Sequence, residues 1–335
     1  MSHPSAIERR QVWVYLAAAG LGLGLGRLAP PVSPAASGLV WPALALLMYA
    51  TFTQISPTSI RDAWTDRRFH IAALLANFVV VPAFVALLLR WAPDDPAVRL
   101  GILITLVAPC TDWFITFTHL GRGNASHAAS LAPLSMIVQL PLIPLYARLL
   151  GPEGTTLRLG PREILPAAGV IVLPLLGAWL MQARLRSRSS RAVGPWSGPD
   201  IESRWRTRWA WVPVPALALV ILLVMTAHVN DVAHAAGVIP RVGGVYVAYL
   251  AGALFIAKGL SLMFRLSPSG SRTLAFSVGT RNSFVVLPLA LSLPQGWELT
   301  AVVVVLQSLI ELLGMIAYLW IVPRLVFRDR PPKTA

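Results

Sequence analysis

A chain of 335 residues that is 56% apolar and only 13% charged is too hydrophobic for an ordinary soluble domain. Its net charge of +14 would suit nucleic acid, but the basic residues lie in short loops between apolar runs, which fits membrane orientation and not a continuous nucleic-acid face. A single cysteine excludes an intrachain disulfide framework and any multi-cysteine metal site.

Taken in order, apolar runs long enough to cross a bilayer recur along the whole chain. They predict ten spans, at about 11–28, 38–57, 69–90, 99–119, 127–149, 163–183, 209–228, 242–264, 272–293 and 298–322. The first lacks a small-x-small cleavage site before Arg27-Leu-Ala-Pro-Pro, so it reads as a retained helix and not a signal peptide. Connections are short except for 185–208, which is rich in Arg, Ser, Gly and Pro and reads as a basic, solvated cytoplasmic linker. Residues 1–184 then hold spans one to six, and 209–335 the remaining four.

Most of the 28 Lys and Arg residues fall on one side when both termini are placed in the cytoplasm. This topology puts the glycosylation-like Asn124-Ala-Ser126 inside, where the match carries no meaning. Split between the fifth and sixth, the ten spans form two sets of five, about 11–149 and 163–322, which predict inverted repeats, a recurring plan in secondary transporters. The expected fold is thus an all-α polytopic membrane protein of ten helices, with helices 4 and 9 discontinuous.

Those two helices carry the unusual residues. In the fourth span, Val107-Ala-Pro-Cys-Thr-Asp-Trp-Phe114 places Pro109 beside Cys110, Thr111 and Asp112. In the ninth, Ser277-Val-Gly-Thr-Arg-Asn-Ser-Phe284 places Arg281, Asn282 and Ser283 after a small-residue interruption. A proline frees backbone groups, so Pro109 marks either an unwound segment that lines a polar cavity or a simple kink. Cys110 is either a soft ligand for a thiophilic species or a small apolar core residue. Asp112 and Arg281 sit at matching depths and suit a buried salt bridge, substrate contact, or both in turn.

Glu311, with Gln307 one turn before it, puts a protonatable carboxylate mid-span; it either carries a proton or holds a neighbouring helix. Thr51, Gln54, Asn77, Ser135 and Gln139 either line a cavity or bond between helices. Lys258 is expected to snorkel to the interface. His228, Asp231 and His234 step round a helix too far for one face to present all three, so no metal site is expected. Nor is a cofactor or nucleic-acid partner. No phosphate-binding loop pattern occurs, which argues against ATP coupling within the chain.

Ala108-Pro-Cys-Thr111 resembles the cysteine motif of arsenite efflux permeases, in the bile acid/arsenite/riboflavin transporter superfamily. Asn282-Ser-Phe284 and Leu309-Ile-Glu-Leu312 are similar to its ninth and last spans, and the resemblance runs over essentially the whole chain. It implies a panel and a core domain, crossing fourth and ninth helices, a functional cysteine at Cys110 and a functional glutamate at Glu311. The family's usual glutamate after the Asn-Phe element is replaced here by Val285, and Asp112 and Arg281 stand where small or uncharged residues are usual.

The expectation is an inner-membrane secondary transporter exporting arsenite, or a related metalloid oxyanion or neutral acid, by proton exchange. Cys110, Pro109, Thr111, Asp112, Arg281, Asn282 and Ser283 would contact substrate, with Glu311 and Asp112 coupling the proton. The alternative is a sodium-coupled organic anion symporter of the bile-acid type, in which Arg281 meets the anion. A membrane enzyme or non-transporting sensor stands last, because no nucleophile–base–orienter set can be assembled.

Overall fold

The computed structural model describes residues 6–54, 66–111, 113–152, 161–191 and 201–328. Among these the regular elements are all helices. In chain order they begin with α1 (Ala6–Leu28), α2 (Ser33–Gln54), α3 (Arg67–Leu75) and α4 (Val81–Leu88), the last two joined by a π-helical turn at Ala76–Val80. Next come α5 (Pro96–Val107), α6 (Trp113–Leu120), α7 (Ala125–Leu150), α8 (Pro161–Arg191) and α9 (Ile201–Trp209). The chain continues through α10 (Pro213–Ala227), α11 (Val229–His234), α12 (Ile239–Met263), α13 (Pro268–Gly279), α14 (Ser283–Leu291) and α15 (Glu298–Ile321).

Among the described residues, seven helical stretches are long and apolar enough to cross a membrane: Pro30–Gln54, Arg67–Leu88, Ala125–Leu150, Ala167–Leu185, Thr207–Ala227, Ile239–Met263 and Glu298–Val326. Trp13, Leu173 and Phe255 turn outward with 69%, 70% and 77% exposure, an arrangement that lipid satisfies and water does not. The protein is therefore an all-α polytopic membrane protein.

The chain forms two compact units. The first comprises Met1–Ile55, Arg158–Ala235 and Leu287–Val302. In it α10 packs against both α1 and α2, and α8 packs on α2. The α1–α10 contact is close because Gly22 and Gly26 carry no side chain. A Cβ at Gly22 would lie 2.5 Å from the Leu222 carbonyl oxygen, and one at Gly26 2.7 Å from that of Thr226. Thr226 Oγ1 donates across this seam to the Gly22 carbonyl at 3.1 Å, the small-residue packing that membrane helices favour.

Where the sequence suggests a solvated linker, α8 runs on to Arg191 and α9 covers Ile201–Trp209. Four-residue spacing puts Trp205 and Trp209 on one face, edge-on to Tyr49 with ring centroids 6.4 and 5.0 Å away, while Arg204 and Arg208 are exposed. His228 Nδ1 lies 2.9 Å from Asp231 Oδ2, so this histidine is held by one carboxylate; the His234 side chain lies outside the described residues. No group of three metal-ligating side chains occurs among the described residues.

The second unit comprises Ser56–Leu157, Ala236–Val286 and Val303–Ala335. Here α13 packs against α12, α6, α3 and α7, and α7 also covers α5. The sequon-like Asn124 is a helix cap: its Oδ1 accepts the Ser126 and His127 N–H groups at 3.0 and 3.2 Å. Lys258, near the end of α12, is held by the end of the last helix. Its Nζ donates to the Val326 carbonyl at 2.8 Å and lies 5.0 Å from the Phe327 ring centroid, where a π-helical turn at Val322–Val326 ends the last helix. A carbonyl left over at a helix C-terminus and an aromatic face together satisfy the ammonium.

Candidate functional site

Both interruptions have a local cause. Pro109 has no N–H to give the Thr105 carbonyl, and its ring disfavours helical geometry at the residue before it. Ala108 accordingly adopts φ −94°, ψ 106° and closes α5 with its own N–H on Thr105 O at 3.3 Å. In the other segment α13 stops at Gly279, where the Tyr318 ring fills the side-chain space; a Cβ there would lie 2.6 Å from it. Thr280 then turns extended, at φ −101°, ψ 140°.

The two breaks meet antiparallel. Cys110 N–H donates to Thr280 O at 3.3 Å and Asn282 N–H to Ala108 O at 2.8 Å. Each break satisfies backbone groups that the other leaves over, which is what permits irregular backbone at membrane depth. Side chains reinforce the crossing: Asn282 Nδ2 donates to Thr111 Oγ1 at 3.2 Å, and Asn282 Oδ1 caps α14 by accepting Val285 N–H at 3.2 Å. Cys110, Thr111, Asn282 and Ser283 are all buried, with Cys110 only 2% exposed.

Arg281 and Glu311 complete the crossing. The Arg281 side chain is wholly buried and turns its guanidinium to the closing ends of two half-helices. Nη2 donates to Ser277 O and Val278 O, both at 2.8 Å, and to Asn77 Oδ1 at 2.7 Å; Nη1 donates to Leu106 O at 3.3 Å. The guanidinium carbon also lies 5.5 Å from the Tyr249 ring centroid. Helix C-terminal carbonyls carry partial negative charge, so this is where a buried cation is best tolerated. Glu311 Oε2 accepts Arg281's own main-chain N–H at 2.7 Å and Gln307 Nε2 at 2.6 Å. Ser283 Oγ donates to Gln307 Oε1, so a polar chain runs from the start of α14 to the carboxylate.

Sequence reading gives Asn77 little weight, yet the structure makes it a hub. It accepts from Arg281 and donates through Nδ2 to Ser277 Oγ at 3.0 Å and to Ala73 O at 2.9 Å. The π-helical turn that holds it precedes Pro82, which lacks the N–H that Phe78 O would take in a regular helix. Tyr146 from α7 supplies the missing donor, its hydroxyl 2.5 Å from Phe78 O. The available signal is a proline five residues after a buried-type amide. Tyr249, whose hydroxyl donates to Val278 O at 2.7 Å, carries no such signal.

The structure thus brings Pro109, Cys110, Thr111, Arg281, Asn282, Ser283 and Glu311 into one unit. Asp112 lies outside the described residues. Gln139 Nε2 turns to Met136 Sδ at 3.0 Å, and Gln54 Nε2 to Thr53 Oγ1 at 2.9 Å; both bonds are made within the residue's own helix.

Residues 41–235 match the model of the Sodium Bile acid symporter family. The arsenical-resistance protein Acr3 of Corynebacterium glutamicum is 23% identical over 95% of this chain and 90% of its own length. An uncharacterized protein of Pseudomonas aeruginosa is 32% identical over 46% of this chain, and that match spans only 44% of the relative.

Proposed function

The chain belongs to the sodium bile acid symporter family and is a secondary transporter, and we propose that it exports arsenite, or a related metalloid oxyanion or its neutral acid, in exchange for protons. The observation that carries this reading is the position of Cys110, the chain's one thiol, buried where the two broken helices meet. Similarity to an arsenical-resistance protein over nearly the full length supports it.

Trivalent arsenic is thiophilic, and a soft, buried sulfur beside hydrogen-bonding groups favours it over harder oxyanions. Cys110 would contact the arsenic, while Thr111, Asn282, Ser283 and the opened backbone around Pro109 would meet its oxygens. Glu311 would take up a proton when the site faces outward and release it inside. Asp112 would stabilise the crossing together with Arg281. Because Cys110 is closed off in this conformation, transport requires the crossing to open to one side at a time. The proposal includes ten spans in two inverted repeats, both termini in the cytoplasm and residence in the inner membrane.

Cells deprived of their own arsenite efflux should hold less arsenic when they express this chain. An unchanged arsenic content, with the protein folded in the membrane, would remove arsenite as cargo. A second reading, sodium-coupled uptake of an organic anion, draws on the family's description and on Arg281 Nε, which has no acceptor among the described residues. Replacing sodium by choline distinguishes the two, since only the second needs sodium.

A further inference from the structure

We infer that Arg281 is a tethered cation: its guanidinium permanently fills the cation position at the helix crossing, so that this position neither needs nor admits an exchangeable inorganic ion. The inference rests on the crossing being the transport site, and it concerns what balances charge there.

Four oxygens converge on the guanidinium at 2.7–3.3 Å: the carbonyls of Leu106, Ser277 and Val278 and the side-chain oxygen of Asn77. Three belong to the C-terminal turns of α5 and α13, and the fourth comes from a π-helical turn that presents it. In discontinuous transporter helices, such carbonyl ends and a nearby amide are the groups that coordinate a small coupling cation. All four are neutral acceptors, so together they form the shell of a cation and not one half of an ion pair.

The counter-charge is held on the main chain. Glu311 Oε2 receives the N–H of the same residue, Arg281, so cation and carboxylate are linked through one backbone unit. The C-terminal ends face the guanidinium and the approach to α14 faces the carboxylate, each the favourable pole for its charge. With the cation covalently fixed, Glu311 is left as the titratable partner, and a proton can move on and off it without an inorganic ion leaving the crossing. The occupied shell also weighs against sodium at this position, the ion that the second reading requires.

The test is amputation and chemical rescue. Arg281→Ala removes the guanidinium and leaves its oxygen shell in place. In purified protein, Arg281→Ala is expected to melt lower than wild type and to recover saturably with millimolar methylguanidinium or sodium, while choline has no effect and wild type answers to neither cation. A folded Arg281→Ala that ignores both cations, or wild type that gains as much from them, overturns the inference. If Arg281→Ala does not accumulate, Arg281→Lys and Arg281→Met decide. Membrane-inserted Lys variant with lost Met variant supports a charge requirement, and any other pairing overturns it. These readouts are melting and insertion, so they stand even if the protein moves no arsenite. Conversely, loss of the arsenite reading with intact rescue would leave the tethered cation in place.

Discussion

The main-chain N–H of Arg281 donates to Glu311 Oε2 at 2.7 Å, joining the only charged side chain described in the break between α13 and α14 to the carboxylate of α15. A backbone donor cannot rotate away, so Glu311 is positioned whatever the arginine side chain does. The carboxylate also takes Gln307 Nε2, one helical turn before it, at 2.6 Å.

Glu311→Gln should therefore keep the fold and lose the coupling. An amide oxygen can still accept from Arg281 N–H, but the group no longer exchanges a proton. Proton-driven export should fall to background while membrane insertion and melting stay close to wild type. Export at the wild-type rate would remove Glu311 from the coupling step.

Asn77→Ala should cost stability instead. It takes an acceptor from a buried guanidinium and a donor from Ser277 Oγ. A hydrogen bond to a charged group is worth roughly 1.5–3 kcal/mol, so a clear drop in melting temperature is expected. Asn77→Asp, which keeps the acceptor, should show that the loss follows the missing oxygen by retaining more stability than Asn77→Ala.

Tyr146→Phe leaves the Phe78 carbonyl without the hydroxyl that compensates for Pro82. An unsatisfied buried carbonyl costs about 1–3 kcal/mol. Thermal unfolding of Tyr146→Phe should show that loss; a variant as stable as wild type would mean that Phe78 O finds another donor.

Glycines on one face of α1 should differ from those on the other. Gly22→Ala and Gly26→Ala put a methyl group against the carbonyls of Leu222 and Thr226 and should lower the yield of folded protein. Gly20→Ala and Gly24→Ala meet nothing within 4 Å and should be neutral, or slightly stabilising through helix propensity. Equal behaviour of all four in a detergent-stability assay would contradict the close α1–α10 seam.

Much of this architecture is legible in the residues alone, because apolar runs and their interruptions are local signals. Pro109 ends α5 through its missing N–H, and Gly279 marks the end of α13, so neighbouring residues suffice to place both breaks. Cys110, Arg281 and Glu311 are conspicuous as polar or reactive groups in apolar surroundings. What is not legible depends on distant pairings. Asn77 bonds Ser277 and Arg281 across 200 and 204 positions, and no pattern near Asn77 encodes that register. Lys258 is placed near a helix end by its own span, but its partner, Val326 O, lies 68 positions away. The basic stretch after Arg184 looks like a linker by composition, but Trp205 and Trp209 give it a face to pack.

The most direct measurement is arsenite uptake into everted membrane vesicles, with and without an imposed proton gradient, for wild type and Cys110→Ser. The account predicts gradient-dependent accumulation by wild type and its loss in Cys110→Ser, with both proteins equally inserted. Accumulation that survives the loss of the thiol would contradict a substrate site at Cys110, and no accumulation by folded wild type would contradict arsenite export itself.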